Sequence, residues 1–498
     1  MPPRPDSRYR LAALIAAAAL FVLAWWLPDV RRALVRAIVT YDAVPSEPAP
    51  LPAGTGPGLT QVPRTRVVLI DGLTQAVAAN LPTWQSVCAR GVTMNVEVGF
   101  PTVSLPVEVA LWTGLTQQQT GIVYRSNQPL VPPLDGKGIP AQVPNSWAVA
   151  ESYGYIVRSL GFAKAEPAAD PQKPSKDIAD PAWATTWEQR AMEAVGSPTP
   201  LVFVHVLRVD TAGHKHGIDA QYMKVAAEAD ALLGRLVAAD PSARWFVLSD
   251  HGHLPTGGHG GEEDAIRHVQ GCIAGPGVAV ATAGLVHVVD VGRAIADSVG
   301  AKLDPASRGR PLAAAIAAPL APDQGLPPMP LGAGALAIFI IVAGLAATSW
   351  AVRTWWLVPW WFIVAGACLV VMRGVPSLST PMIYKPEGRE MWTTFVPGLV
   401  LALAATWFGM RRTTLVRVLV AQLAVPVAAT AAAITVAGAW ATLFGAKVAP
   451  IVPRFTAWMS PLILALAFGA AAIALGLVAS VLQPLFRRSE NRENRVGP

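Results

Sequence analysis

The chain has 498 residues, 53% of them apolar and only 14% charged, with a mean hydropathy of +0.41. Soluble domains carry about 25% charged residues, so a wholly soluble chain of roughly three domains is excluded and much of this one is expected in lipid. The net charge of +7 splits into 20 − 25 = −5 over residues 45–330 and 19 − 7 = +12 over the rest, so the basic excess flanks the apolar segments and a nucleic-acid polymer is excluded as a partner.

Arg4, Arg8 and Arg10 precede the first of six apolar windows without ionisable residues, 11–27. A bilayer core of about 30 Å needs about 20 such residues. No small-x-small cleavage site follows at once (Leu27, Pro28, Asp29 and Arg31 do), so residues 1–27 read as a cytoplasmic tail and an uncleaved transmembrane anchor. Residues 28–63 read as an interfacial helix followed by a linker. Arg31, Arg32 and Arg36 suit a helix whose other face carries Leu34, Ile38 and Tyr41, and six prolines in 44–63 suit an extended spacer.

Residues 64–308 carry the chemistry. Val67-Val68-Leu69-Ile70 ends at Asp71, Leu201-Val202-Phe203-Val204 leads to Asp210, and Trp245-Phe246-Val247-Leu248 leads to Asp250. Short uninterrupted apolar runs read as buried strands of a parallel sheet. The stretch 219–239, with Ala226, Ala229, Leu232, Leu233, Leu236 and Val237 on one face, reads as a helix between two of them. The class is α/β with helices on both faces of the sheet. Ligands of such sheets gather beyond the carboxyl ends of the strands, so the three aspartates can converge. All eight histidines lie between 205 and 287: His214 four residues after Asp210, His251 beside Asp250, and His259 in the Gly-rich loop 257–261. Carboxylate with imidazole suits Zn²⁺, with Mn²⁺ as the alternative. His216 and His253 stand beside these positions and read as surface or pocket-lining residues. Ser104 falls at a predicted helix start, where free N–H groups favour an anion. It reads either as an N-cap or as a nucleophile, with Thr102 as the fallback hydroxyl. Cys88 and Cys272 form a disulfide if the compartment is oxidising, or stay as two buried thiols.

A second Pro-rich linker is expected over 309–330, then five further windows (331–352, 355–372, 391–410, 418–440 and 461–484) as a bundle of transmembrane helices within 331–486, and a basic tail over 487–498. With the amino terminus inside, eleven arginines near the helix ends (Arg4, Arg8, Arg10, Arg353, Arg411, Arg412, Arg417, Arg487, Arg488, Arg492 and Arg495) face the cytoplasm, against five cations in the outer loops. Both termini are therefore expected in the cytoplasm and the catalytic domain outside it. No window holds an ionisable residue, which argues against a secondary transporter.

The ordered set IDGL (70–73), PTVSLPVEVALWTG (101–114), QTGI (119–122), DTAGHKHG (210–217), SDHG (249–252) and GGHGG (257–261) resembles the alkaline phosphatase superfamily, in its type I phosphodiesterase/nucleotide pyrophosphatase branch, over roughly 64–280. The resemblance implies an alkaline-phosphatase-like sheet and two divalent metal ions, one held by Asp71, Asp250 and His251, the other by Asp210, His214 and His259. It implies Ser104 as nucleophile, where the family commonly has Thr, and a phosphoserine intermediate on a nucleotide or lipid phosphodiester. The branch also has an Asn about twenty residues past its nucleophile; here that count lands near Arg125, with Asn127 two residues beyond, and both are expected to bind substrate. The membrane layout is similar to that of glycosylphosphatidylinositol ethanolamine-phosphate transferases, which makes phosphoethanolamine transfer the alternative reaction. A non-catalytic membrane protein with a degenerate domain is the alternative of another class.

Overall fold

The computed structural model describes residues 7–39, 58–120, 122, 138–168, 180–261, 263–321 and 474, 475, 477, 478 and 481. The chain divides into two compact units. One contains the first helix and the C-terminal segment; the other contains the domain between them.

In the first unit, α1 (Ser7–Val39) is one helix of 33 residues, where the sequence suggested an anchor and a separate interfacial helix. Ala13, Ala17 and Leu20 lie on one face, three to four residues apart, and are buried against Ala474, Leu477 and Val481. Leu11, Ile15, Val22, Trp25 and Trp26 are exposed. Among the described residues, no helix is long and apolar enough to cross a membrane. The windows 331–352, 355–372, 391–410 and 418–440 lie outside the described residues, as does most of 461–484.

In the second unit, β1 (Thr65–Ile70) leads through α2 (Gln75–Ala78) and α3 (Pro82–Cys88) to β2 (Gly91–Glu97), α4 (Ser104–Thr113) and α5 (Gln117–Thr120). There follow β3 (Trp147–Ala150), α6 (Gly154–Ser159), β4 (Lys164–Glu166), α7 (Trp183–Gly196) and β5 (Leu201–Val206). Next come α8 (Arg208–His216), α9 (Ala220–Ala239) and β6 (Arg244–Leu248). The unit closes with α10 (Asp264–Arg267), β7 (His268–Ala274), β8 (Ala281–His287), α11 (Val288–Val299) and α12 (Leu312–Ala317).

The eight strands form one sheet in the order β4-β3-β5-β1-β6-β7-β2-β8. β1 pairs in parallel with β5 on one side and β6 on the other, and β7 runs antiparallel to both its neighbours. Alternation along a strand sends successive side chains to opposite faces. Val67 and Leu69 accordingly join the core under α4 and α11, while Val68 and Ile70 join the core under α3, α7 and α9. All six apolar residues expected on the buried face of the 219–239 helix are buried, and Asp219 caps α9 by accepting from the N–H groups of Gln221 and Tyr222.

Residues 310–320, which the proline content placed in a second linker, fold against the domain. Ala-rich residues between Pro311 and Pro319 form α12, Arg310 pairs with the buried Asp290 at 2.7 Å, and the Leu320 N–H donates to the Leu285 carbonyl. Prolines at the ends of a helix do not interrupt it. The last residues of the first linker are docked as well, with the Val62 N–H donating to the Ser298 carbonyl at the end of α11. Cys88 and Cys272 are joined as a disulfide, with their Cα atoms 5.0 Å apart.

Candidate active site

The order β5-β1-β6 sets three parallel strands side by side with their carboxyl ends in register: Ile70 pairs with Val206 and Leu69 with Leu248. Asp71 follows β1 directly, Asp250 comes two residues after β6, and Asp210 stands in the first turn of α8 after β5. Two close approaches tighten the cluster. A Cβ on Gly72 (φ +70°) would lie 2.8 Å from the Asp210 Cα and from His253 Nε2, and one on Gly213 would lie 2.4 Å from the His253 ring.

The six residues expected as metal ligands come together in two triads. Asp71, Asp250 and His251 form one, Asp210, His214 and His259 the other, and within each the candidate donor atoms lie within 4.8 Å of one another. In the first, His251 Nε2 is 3.3 Å from Asp71 Oδ1 and 3.4 Å from Asp250 Oδ2. His251 Nδ1 faces the Gly252 carbonyl at 3.1 Å and donates there, which leaves the Nε2 lone pair pointing into the triad. In the second, His259 Nδ1 donates to the Thr102 carbonyl at 2.8 Å, and His259 Nε2 meets His214 Nε2 at 3.1 Å, with Asp210 Oδ1 3.5 and 3.4 Å from the two.

A third grouping, Asp210 with His251 and His253, is ruled out as a ligand set by the hydrogen bonds of His253. Its Nδ1 accepts from the Gly258 N–H at 3.1 Å and its Nε2 donates to Asp210 Oδ1 at 3.0 Å, so neither nitrogen is left for a cation. His253 is fully buried, in place of the surface or pocket-lining position expected, and it orients Asp210. His216 is 42% exposed in its side chain, as expected of a surface histidine.

The donors fit divalent cations. Asp250 Oδ2 is buried with no hydrogen-bond partner among the described residues, and two imidazole nitrogens face each other at 3.1 Å. Burial, then the charges of Asp250 and Asp210, hold the Asp71 carboxyl well above the usual range, and burial lifts Asp250 to about 6. Burial also raises the cost of charging Asp210, but His214, His253 and His259 outweigh it and keep that carboxyl well below the usual range. Burial depresses His251 to about 4 and, with His251 beside it, His259 well below its ordinary value, so both imidazoles are neutral at pH 7 as ligation requires.

Ser104 opens α4, as the sequence suggested, with Val103 as the N-cap. Its half-buried Oγ lies 3.5 Å from Asp71 Oδ1 and 3.4 Å from His251 Nε2, at the mouth of the first triad. Thr102 is different. It is fully buried, its hydroxyl donates to the Gly261 carbonyl at 2.8 Å and accepts from the Gly260 N–H at 2.9 Å, and its carbonyl takes His259. Thr102 therefore fastens the Gly-rich loop, and its hydroxyl is already committed. Arg125 and Asn127 lie outside the described residues.

Sequence reasoning passed over two site residues, Glu108 and His205. Both are fully buried; His205 Nε2 lies 3.2 Å from Asp71 Oδ2 and 3.2 Å from Glu108 Oε1. Each is the lone ionisable residue in an apolar stretch (SLPVEVALW and LVFVHV), which is the signal that marks them.

Residues 139–301 match the family of type I phosphodiesterases/nucleotide pyrophosphatases. The matched segment holds Asp210, His214, Asp250, His251 and His259, and begins after Asp71 and Ser104. Among solved structures the chain is similar to the murine ectonucleotide pyrophosphatase/phosphodiesterase 5, at 14% identity over 49% of this chain and 96% of that one (TM-score 0.39). The human protein of the same name gives the same figures. A 2-O GAG sulfatase is similar at 18% identity over 51% of this chain and 74% of that one (TM-score 0.39). No curated protein matches the chain.

Proposed function

We propose that this chain is a membrane-anchored, metal-dependent phosphodiesterase that works through a phosphoserine. The observation that carries the proposal is the placement of the Ser104 hydroxyl at 3.4–3.5 Å from members of a triad made by Asp71, Asp250 and His251, next to a second triad made by Asp210, His214 and His259. Two divalent cations held there, Zn²⁺ or Mn²⁺, would supply Lewis-acid polarisation of the phosphoryl oxygens and ease ionisation of the hydroxyl. The chain does the rest. Ser104 Oγ gives up its proton and attacks phosphorus, the bond to the leaving alcohol breaks and that alcohol takes a proton, and water then splits the serine phosphodiester into free serine and a phosphate monoester. His253 and Thr102 hold Asp210 and His259 in place through these steps. Positioning of this kind, with charge neutralisation, supplies most of the catalysis in phosphoryl transfer.

Anchoring in a membrane is supported by the apolar windows of the sequence and by the exposed Leu11, Ile15, Val22, Trp25 and Trp26 on α1. The Cys88–Cys272 pair supports an oxidising, extracytoplasmic compartment for the catalytic domain. The exposed apolar face also favours a second reading, in which the substrate is a lipid and phosphoethanolamine passes to an alcohol in place of water.

The test incubates purified full-length protein with bis(p-nitrophenyl) phosphate, an aryl sulfate and a phosphatidylethanolamine vesicle, with and without added Zn²⁺ or Mn²⁺ and with and without an alcohol acceptor. Metal-dependent cleavage of the diester supports the first reading, and product that requires the acceptor moves it to the second. Metal-replete protein that turns over none of the substrates sinks both.

A further inference from the structure

His205 lies on β5, where it pairs with Leu69 of β1 one residue before the end of that strand. Val202, Val204 and Val206 point to one face of the sheet, so Phe203 and His205 point to the other, toward α4. Glu108 meets it from that side. It stands four residues after Ser104 on α4, one turn along the same face of the helix. His205 Nε2 thus lies 3.2 Å from an oxygen of each carboxylate, and one N–H cannot align with both. Burying Glu108 and His205 costs several kcal/mol unless their charges are compensated, and the close contacts they make lead to Asp71.

The two oxygens of Asp71 are thereby divided. Oδ2 faces His205 Nε2 at 3.2 Å, while Oδ1 faces Ser104 and His251. We infer that Glu108 and His205 are positioning residues for Asp71: Glu108 fixes the His205 ring, and His205 fixes the carboxylate plane so that Oδ1 is presented to the cation and to the nucleophile. The chain of contacts runs from the helix that carries Ser104 to the strand that carries Asp71, so it also fixes the distance between nucleophile and ligand. This rests on reading Asp71 as a metal ligand. Outer partners of a ligand typically change metal affinity by 10–100-fold when removed.

The test measures Mn²⁺ and Zn²⁺ binding by calorimetry to chelator-stripped full-length protein, wild type and four variants, alongside kcat and KM for a diester. His205→Ala and Glu108→Ala should weaken one of the two binding events by 10–100-fold and leave the other within about twofold. His205→Gln and Glu108→Gln keep the size of the side chains and cover the case in which the alanine variants do not fold. His205→Gln, whose amide can donate to Asp71, should restore at least tenfold of the lost affinity, which a purely space-filling role would not require. kcat should fall with KM within about threefold. Wild-type protein that binds two metals while folded His205 and Glu108 variants bind both as tightly overturns the positioning role alone. Wild-type protein that binds no divalent metal overturns the metal-site reading beneath it.

Discussion

Two hydroxyls two residues apart, Thr102 and Ser104, should respond to removal in opposite ways. Thr102→Val keeps the shape of the side chain and deletes a fully buried hydroxyl that serves the Gly260 N–H and the Gly261 carbonyl at 2.9 and 2.8 Å. The Gly260 N–H is only half-buried, so losing the hydroxyl should destabilise the loop bearing His259 by about 1–3 kcal/mol, out of a typical total of about 5–15 kcal/mol. Ser104→Ala removes contacts of 3.4 and 3.5 Å from a half-buried side chain, at the outer limit of hydrogen bonding. Its stability should change by less than about 1 kcal/mol. Turnover should fall by about 10³-fold or more, as expected when a nucleophile is deleted. Urea unfolding, metal titration and diester turnover on both variants separate the roles. Thr102→Val should unfold earlier and bind metal more weakly, whereas Ser104→Ala should keep its metal and lose its chemistry. Wild-type turnover in Ser104→Ala, or a stability change below about 1 kcal/mol in Thr102→Val, would refute the assignment.

Metal affinity should fall with acidification. Asp250, lifted to about 6, and Asp71, held well above the usual carboxylate range, hold protons that a cation must expel, so below pH 6 the apparent affinity drops about tenfold per pH unit for each proton released. Calorimetry at pH 5, 6 and 7 in buffers of different ionisation heat counts those protons, and affinity that rises toward pH 5 contradicts the ligand set. His253→Ala leaves Asp210 without its 3.0 Å donor and the Gly258 N–H without its acceptor, and should weaken one metal site about tenfold or more in the same titration. Trp112→Ala removes a fully buried ring that meets Phe162 and Phe203 edge-on at 5.0 and 5.1 Å, and should cost about 3–5 kcal/mol by urea unfolding.

The sequence by itself determined the strands that lead to Asp71, Asp210 and Asp250, the α9 face, and Ser104 at a helix start. Apolar periodicity and the chemistry of single residue types are local properties, and both survive folding. The pairing of Cys88 with Cys272, 184 residues apart, lay beyond it. So did the roles of Thr102 and His253. A threonine two residues from a serine reads as a spare nucleophile until its hydroxyl is seen bonded to Gly260 and Gly261, and a histidine two residues from a ligand reads as surface or pocket-lining until both its nitrogens are seen bonded. Proline content suggested a linker where Arg310 reaches the buried Asp290 and α12 forms, because the docking partner lies 20 residues back along the chain. Glu108 and His205 make the same point within the site. They stand 97 residues apart, and only the packing of α4 against β5 brings both within 3.2 Å contacts leading to one oxygen of Asp71. Spacing along a chain fixes which groups can share a face, while hydrogen-bond partners across elements are fixed by packing, and packing is what decides which hydroxyl is free to react.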